Sequence, residues 1–304
     1  MMPAATTPNI SPPRTPAWRN ASLAVLAYLL FGLLLPHLPV PPLRTLPPLA
    51  RLALLVVPTG AFMWLQLWLA WAIVHLAPRP ARAAGMTMLC IALWAGTLFF
   101  VHPYLHAAYA ANLSLHFLRP TLLGFLVTLA GTFGGILLSH IVRERNVLLP
   151  VALVAMPIDY IGAMTSIGFT HDAVIKHPGV VQAVSVPVPT VGSIHPIGFI
   201  GPGDALFIAF YFAAILRLGM NGRGTFRLMY VLLTLTLLYV LLPQSLPVAA
   251  LVPMGVAVVI ANWRLFTLKR DEVFAMLYAG ALVIALVVGF YFYSHHHLQP
   301  AARH

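Results

Sequence analysis

Nine apolar runs of roughly twenty residues each, separated by Pro, Gly or basic residues, dominate this 304-residue chain. They fall at about 20–38, 49–76, 84–105, 118–142, 147–169, 197–218, 226–243, 246–265 and 273–293. About 20 apolar residues in helix match the hydrocarbon thickness of a bilayer. Water is the wrong solvent for such a chain: 61% of it is hydrophobic and 8% is charged, where soluble domains carry roughly a quarter charged residues. A globular enzyme in water, a disordered chain and a collagen-like repeat are thereby excluded. In lipid, backbone N–H and C=O groups must bond one another, which leaves helices or closed barrels. A barrel would show short alternating strands instead of long unbroken apolar runs. The expected fold is an all-α polytopic membrane protein of about nine transmembrane helices in one bundle, spanning 20–293 as a single domain. Residues 1–19, rich in Pro, Thr and Ala, are expected to be a disordered tail, and 294–304 a C-terminal tail. The first run leads into Pro36, His37 and Pro39 without a small-residue cleavage site, as expected of an uncleaved anchor.

Net charge is +11, but no basic stripe with interleaved aromatics exists, so no nucleic-acid partner is expected. The excess instead follows the loops. Twelve Lys and Arg fall on the N-terminal side of an alternating topology: Arg14, Arg19, Arg79, Arg82, Arg143, Arg145, Arg217, Arg223, Arg227, Arg264, Lys269 and Arg270. Five fall on the other: Arg44, Arg51, Arg119, Lys176 and Arg303. The positive-inside rule puts the N-terminus in the cytoplasm and the C-terminus outside. The only substantial loop, 170–196, is then external, and its Pro, Val and Gly predict an extended segment with room for a hairpin. The lone cysteine, Cys90, excludes an internal disulfide.

The six acids are informative by position. Glu144, Asp172, Asp271 and Glu272 fall in loops or at membrane edges, where solvated charges are ordinary. Asp159 and Asp204 fall inside apolar runs. A charge at membrane depth costs roughly 2.5–3.5 kcal/mol even on lenient insertion scales, and such residues are functional by default. Counting from the outer ends of their spans, at Phe169 and Ile197, their depths differ by about 5 Å. The single Lys or Arg in either run is Arg217, thirteen residues beyond Asp204 at the far end of its run, so the two would meet as acids. Two carboxyls in a low dielectric share one proton, giving an acid and a base. That pair activates water for attack on an amide with no cofactor and no metal.

Gly201-Pro202-Gly203-Asp204, opening an apolar helix, resembles the Gly-x-Gly-Asp motif of intramembrane aspartyl proteases, the presenilin and signal peptide peptidase group. In that family a second Asp lies on the preceding span beside a Tyr; Asp159 is followed here by Tyr160. A Pro-Ala-Leu segment opens a later helix in the family, and Ser245-Leu246-Pro247-Val248-Ala249-Ala250-Leu251-Val252-Pro253 is similar to it. The resemblance covers about 147–265. It implies Asp159 and Asp204 as the catalytic pair, with Tyr160, Gly201, Gly203, Leu246, Pro247 and Val248 binding substrate. The implied substrates are transmembrane helices, signal peptides and type II anchors among them, with membrane lipid as the other partner. The loop segment 185–196 would pair as an edge strand with a locally unwound substrate.

Other readings of these residues stay open. Gly201 and Gly203 serve equally for close helix packing, and Pro202 for a helix start. Gly131, Gly134 and Gly135 read as packing residues. Membrane-depth carboxylates also serve proton- or cation-coupled carriers, and a presenilin-like protein without catalysis would carry the same pattern. Zinc proteolysis lacks its His-Glu-x-x-His; His102 with His106, and the His295–His297 tract, are the only metal-like spacings.

Overall fold

The computed structural model describes residues 16–39, 46–101, 113–164, 178–240 and 249–271, with scattered helical positions between 273 and 289. Apart from one hairpin, the described residues are mostly helical. Its helices are α1 (Ala17–Leu34), α2 (Pro48–Val74), α3 (Pro80–Gly96), α4 (Leu113–Ser139), α5 (Leu148–Met164), the short α6 (Pro178–Val184), α7 (Pro202–Arg217), α8 (Gly222–Val240) and α9 (Leu251–Asn262). Between α6 and α7 lies a hairpin of β1 (Val186–Thr190) and β2 (Ser193–Ile200). Proline starts several of these helices: Pro48, Pro80 and Pro202 occupy first-turn positions, where the missing N–H costs nothing.

Among the described residues five helical segments are long and apolar enough to cross a membrane: Ala17–His37, Pro48–Val74, Pro80–Phe99, Leu118–Ser139 and Gly222–Val240. By length and composition this is a membrane protein. Helices α5, α7 and α9 coincide with expected spans but measure 17, 16 and 12 residues. Helix α7 is shorter than the expected span because 197–200 is strand and the helix begins only at Pro202. At the other end of the chain, Ala17–Arg19 belong to α1 instead of the tail. Residues 1–15 and 290–304 lie outside the described residues, as does 165–177, which includes the first part of the 170–196 loop.

Side-chain contacts show how the helices alternate. Trp64 meets Tyr230 and Trp71 meets Phe226, so α2 and α8 run antiparallel. Helices α4 and α7 run parallel and very close. Gly131 and Gly135, one helical turn apart, face the start of α7, where a Cβ on Gly131 would lie 2.9 Å from the Ala205 Cβ. A Cβ on Gly135 would run into the Leu206 carbonyl oxygen and sit 2.7 Å from the Phe210 nitrogen. Small residues spaced by four let two backbones approach in this way. At the far end Arg217 of α7 donates to the carbonyls of Ser139 and Val142 just where α4 ends, a cation on orphan C-terminal carbonyls.

The loops rich in Arg gather at that same end. Arg145 donates to the Leu218 carbonyl at 2.9 Å, and Asn146 to that of Thr267 at 2.9 Å. Asn262, buried, ties α8 to α9: its Nδ2 donates to Thr225 Oγ1 and the Val258 carbonyl, and its Oδ1 accepts the Asn221 N–H at 2.8 Å. Asn262→Leu is expected to destabilise the fold by about 1–3 kcal/mol, because the Asn221 N–H loses its acceptor. Thermal unfolding in detergent measures it.

The hairpin caps the opposite end. Val186 and Val188 are buried, and Pro187 Cδ would lie 2.7 Å from a Cβ on Gly124 of α4, so β1 rests on the first half of that helix. Val186 pairs with Ile200 and Val188 with Gly198, antiparallel, around a turn in which Gly192 takes φ 63°. Trp94 of α3 donates to the Ala183 carbonyl at 2.9 Å, tethering α6 beside the hairpin.

Candidate active site

The hairpin delivers the chain straight to the second acid. Ile200 ends β2, Gly201 is the extended N-cap of α7, and Pro202 presets the first helical φ. Asp204 is then the third helical residue. Its Oδ2 accepts the Gly201 N–H at 3.0 Å, the reach-back half of a capping box. Asp159 approaches from α5, two residues after Pro157, and its Oδ2 accepts the N–H of Leu251 at 2.8 Å. Leu251 is the first residue of α9. Each carboxyl is thus held through one oxygen by an orphan amide at a helix N-terminus, where the helix dipole favours negative charge. The Oδ1 atoms have no partner among the described residues.

Both acids line one cleft of about 700 Å³. They are near enough for their charges to interact. On the α5 side the wall is Val151, Val154 and Ile158, recurring at helical spacing ahead of Asp159; on the α7 side it is Gly203 and Phe207, with Leu251 closing the end. Apart from the two carboxyls, no ionisable side chain lines this cleft among the described residues. Residues 197–200 are strand where the sequence predicts helix from Ile197 onward. Strand rises about 3.3 Å per residue against 1.5 Å in helix, so Asp204 reaches the cleft on an extended stalk at the head of its helix.

The two glycines of the motif occupy different surroundings. A Cβ on Gly203 would meet nothing within 4 Å, and one on Gly201 would meet only the Asp204 carboxyl, 3.4 Å away. Among the described residues, neither glycine serves helix contact. Close packing of α7 is done on its other face, by Gly131 and Gly135, as the packing reading of that cluster expects. Gly134 takes less part, since a Cβ there would come no nearer than 3.7 Å to Leu206.

Tyr160 is half exposed and is not among the cleft residues. Leu246, Pro247 and Val248 lie outside the described residues. The segment containing them reaches the acids at its other end, through the Leu251 amide. Sequence reading missed this contact, because a backbone donor carries no residue signature; Pro-rich punctuation before an apolar helix is the available signal. Phe207 and Ile158 were also missed, although Phe207 follows Asp204 by three residues on one helical face and Ile158 directly precedes Asp159. Among the described residues no three His, Cys, Asp or Glu side chains come together as a metal site would require. His102, His106 and His295–His297 lie outside them. Comparison with protein-family models, with curated proteins and with solved structures gives no match.

Proposed function

We propose that this chain is an intramembrane aspartic endopeptidase, in which Asp159 and Asp204 activate water to hydrolyse a peptide bond within a substrate's transmembrane helix. The observation that carries this reading is the convergence of two membrane-depth carboxyls, from separate helices, on one otherwise apolar cleft. The resemblance of Gly201–Asp204 to the Gly-x-Gly-Asp motif supports it.

The chemistry needs one proton shared by the pair. The ionised carboxylate takes a proton from water as the oxygen attacks the scissile carbonyl carbon; the protonated carboxyl gives its proton to the carbonyl oxygen. The tetrahedral intermediate collapses as the amide nitrogen is protonated and the C–N bond breaks, releasing a carboxylic acid and an amine. Rates should fall on both sides of an optimum, at low pH where both acids are protonated and at high pH where both are ionised. The two limbs of that bell belong to the pair and not to either residue. A rate that climbs to a plateau with a single limb contradicts a shared proton.

A helix hides its amides, so the substrate must unwind first. The open space at Gly203 admits backbone to the acids. For the pairing strand, Ile197–Ile200 of β2 suits better than the start of the 185–196 segment. Pro187 and Pro189 of β1 have no N–H to donate, whereas Ile197–Ile200 all have one and end a residue before Gly201.

In this proposal the chain crosses the membrane nine times, with its Arg-rich end in the cytoplasm. Cys90→Ala carrying either Gly179→Cys or Arg264→Cys tests that: labelling of both positions from one face of sealed vesicles contradicts it. With α5 running outward and α7 inward, substrates with a cytoplasmic N-terminus, such as leftover signal peptides and type II anchors, should dock productively. Proteoliposomes containing one model helix inserted in either orientation test the function. Cleavage of the N-terminus-in substrate, lost in Asp204→Asn, is expected. Proton or cation flux without cleavage would favour a carrier, and intact substrate without flux a non-catalytic protein.

A further inference from the structure

A second groove, of about 420 Å³, lies at the Arg-rich end of the bundle, between the start of α1, the end of α2 and the start of α8. Its floor is aromatic. Trp64, Trp68 and Trp71 recur at helical spacing along α2, and Phe226 lies among them, with ring centroids 5.0 Å from Trp64 and 5.7 Å from Trp71. Its mouth is basic. Arg223 and Arg227, four residues apart on α8, line it beside His75. His75 Nδ1 donates to the Trp71 carbonyl at 2.7 Å, which fixes the ring and leaves Nε2 for another partner. Both arginines are exposed, and neither has a hydrogen-bond or ion-pair partner among the described residues.

This arrangement is polarised in the way an amphiphile is. Free arginines four apart on one helical face present paired N–H donors to phosphate oxygens. Below them a wall of Trp suits acyl chain, since indole sits at the boundary between headgroup and hydrocarbon. A soluble phosphate would leave that wall unused, and a neutral lipid would leave the arginines unpaired. We infer that the α1–α2–α8 groove binds an anionic phospholipid, its phosphate on Arg223 and Arg227 and one acyl chain along Trp64 and Trp68. The groove shares no lining residue with the carboxyl cleft and does not depend on the proposed proteolysis.

Quenching of tryptophan fluorescence by acyl-chain-brominated lipids tests it, in detergent micelles doped with brominated phosphatidylglycerol or brominated phosphatidylcholine. The expected result is half-maximal quenching at lower phosphatidylglycerol than phosphatidylcholine. In the double variant Arg223→Gln, Arg227→Gln the phosphatidylglycerol affinity should fall about thirtyfold, to the phosphatidylcholine level. Trp68→Leu should reduce the quenched amplitude while keeping the headgroup preference. A matching circular dichroism spectrum for each variant shows that the fold persists; if the double variant does not fold, Arg223→Lys with Arg227→Lys should restore most of the preference. Equal quenching by both lipids overturns the inference. So does a preference that survives the loss of both arginines, or displacement of the lipid by millimolar glycerol phosphate, which would make the site one for free phosphate.

Discussion

Asp204→Asn should lower cleavage by about 10²–10⁴-fold while leaving the thermal unfolding of the protein nearly unchanged. The asymmetry comes from what the carboxyl does locally. One of its oxygens accepts the Gly201 N–H at the head of α7, and an asparagine carbonyl oxygen can take over that bond. What asparagine cannot do is exchange a proton. Asp159→Asn should behave alike, since its amide oxygen can still accept from Leu251. Alanine differs from asparagine at both positions: it removes the cap as well, at a cost of about 1 kcal/mol. Comparing the two substitutions therefore separates a structural cap from a catalytic acid. If the carboxyls were only caps, the asparagine variants would keep their activity. The double variant Asp159→Asn, Asp204→Asn should be no slower than either single one, because a pair that shares a proton fails as a unit.

Gly135→Ala should be the most disruptive single-methyl change in the described core. Its new Cβ has nowhere to go: the Leu206 carbonyl and the Phe210 nitrogen of α7 are backbone atoms, and neither can swing aside. Helices α4 and α7 must separate, at a cost of about 1–3 kcal/mol or more. The catalytic penalty should exceed that. Asp204 rides at the head of α7, and a shift near 1 Å in a reacting group can cost about 10²-fold. Gly134→Ala is the control, since its Cβ would make only ordinary contact with Leu206. Unfolding temperature and cleavage rate, measured on both variants, check the pair. Equal stability of the two would mean that α4 and α7 are not in contact as described.

The helices were legible because the membrane leaves little choice. Long apolar runs between Pro, Gly and Arg favour helix, and each expected span from 20–38 to 246–265 contains one. Asp159 and Asp204 were legible because charge in such runs is costly. Gly131 and Gly135 announced close packing by their spacing, but not which helix would fill the groove. The hairpin was only half legible. Residues 197–200, Ile-Gly-Phe-Ile, are as apolar as any helix start, and four residues carry too little periodicity to separate strand from helix. Pro202 marks the true start, as its helix-start reading has it and as Pro48 and Pro80 do elsewhere. The Leu251 amide was not legible at all, since any residue at the head of α9 would present the same donor. Similarly, the groove at Arg223 and Arg227 needs three separate helix ends, and sequence offered those arginines only as loop charge.

Hydrolysis by water held between two carboxyls leaves a mark that no carrier and no nucleophilic protease would leave in the same form. Purified protein in proteoliposomes, given a single-helix substrate in oxygen-18 water, should yield two fragments from a cut inside the apolar segment. In a single turnover, the new C-terminal carboxyl should carry one heavy oxygen, and mass spectrometry of the protein should show no covalent adduct at any point. Both fragments should vanish in Asp159→Asn and in Asp204→Asn. Intact substrate with the wild-type protein, cleavage that persists in either variant, or a trapped acyl adduct on the chain would contradict the pair of aspartates as an intramembrane protease.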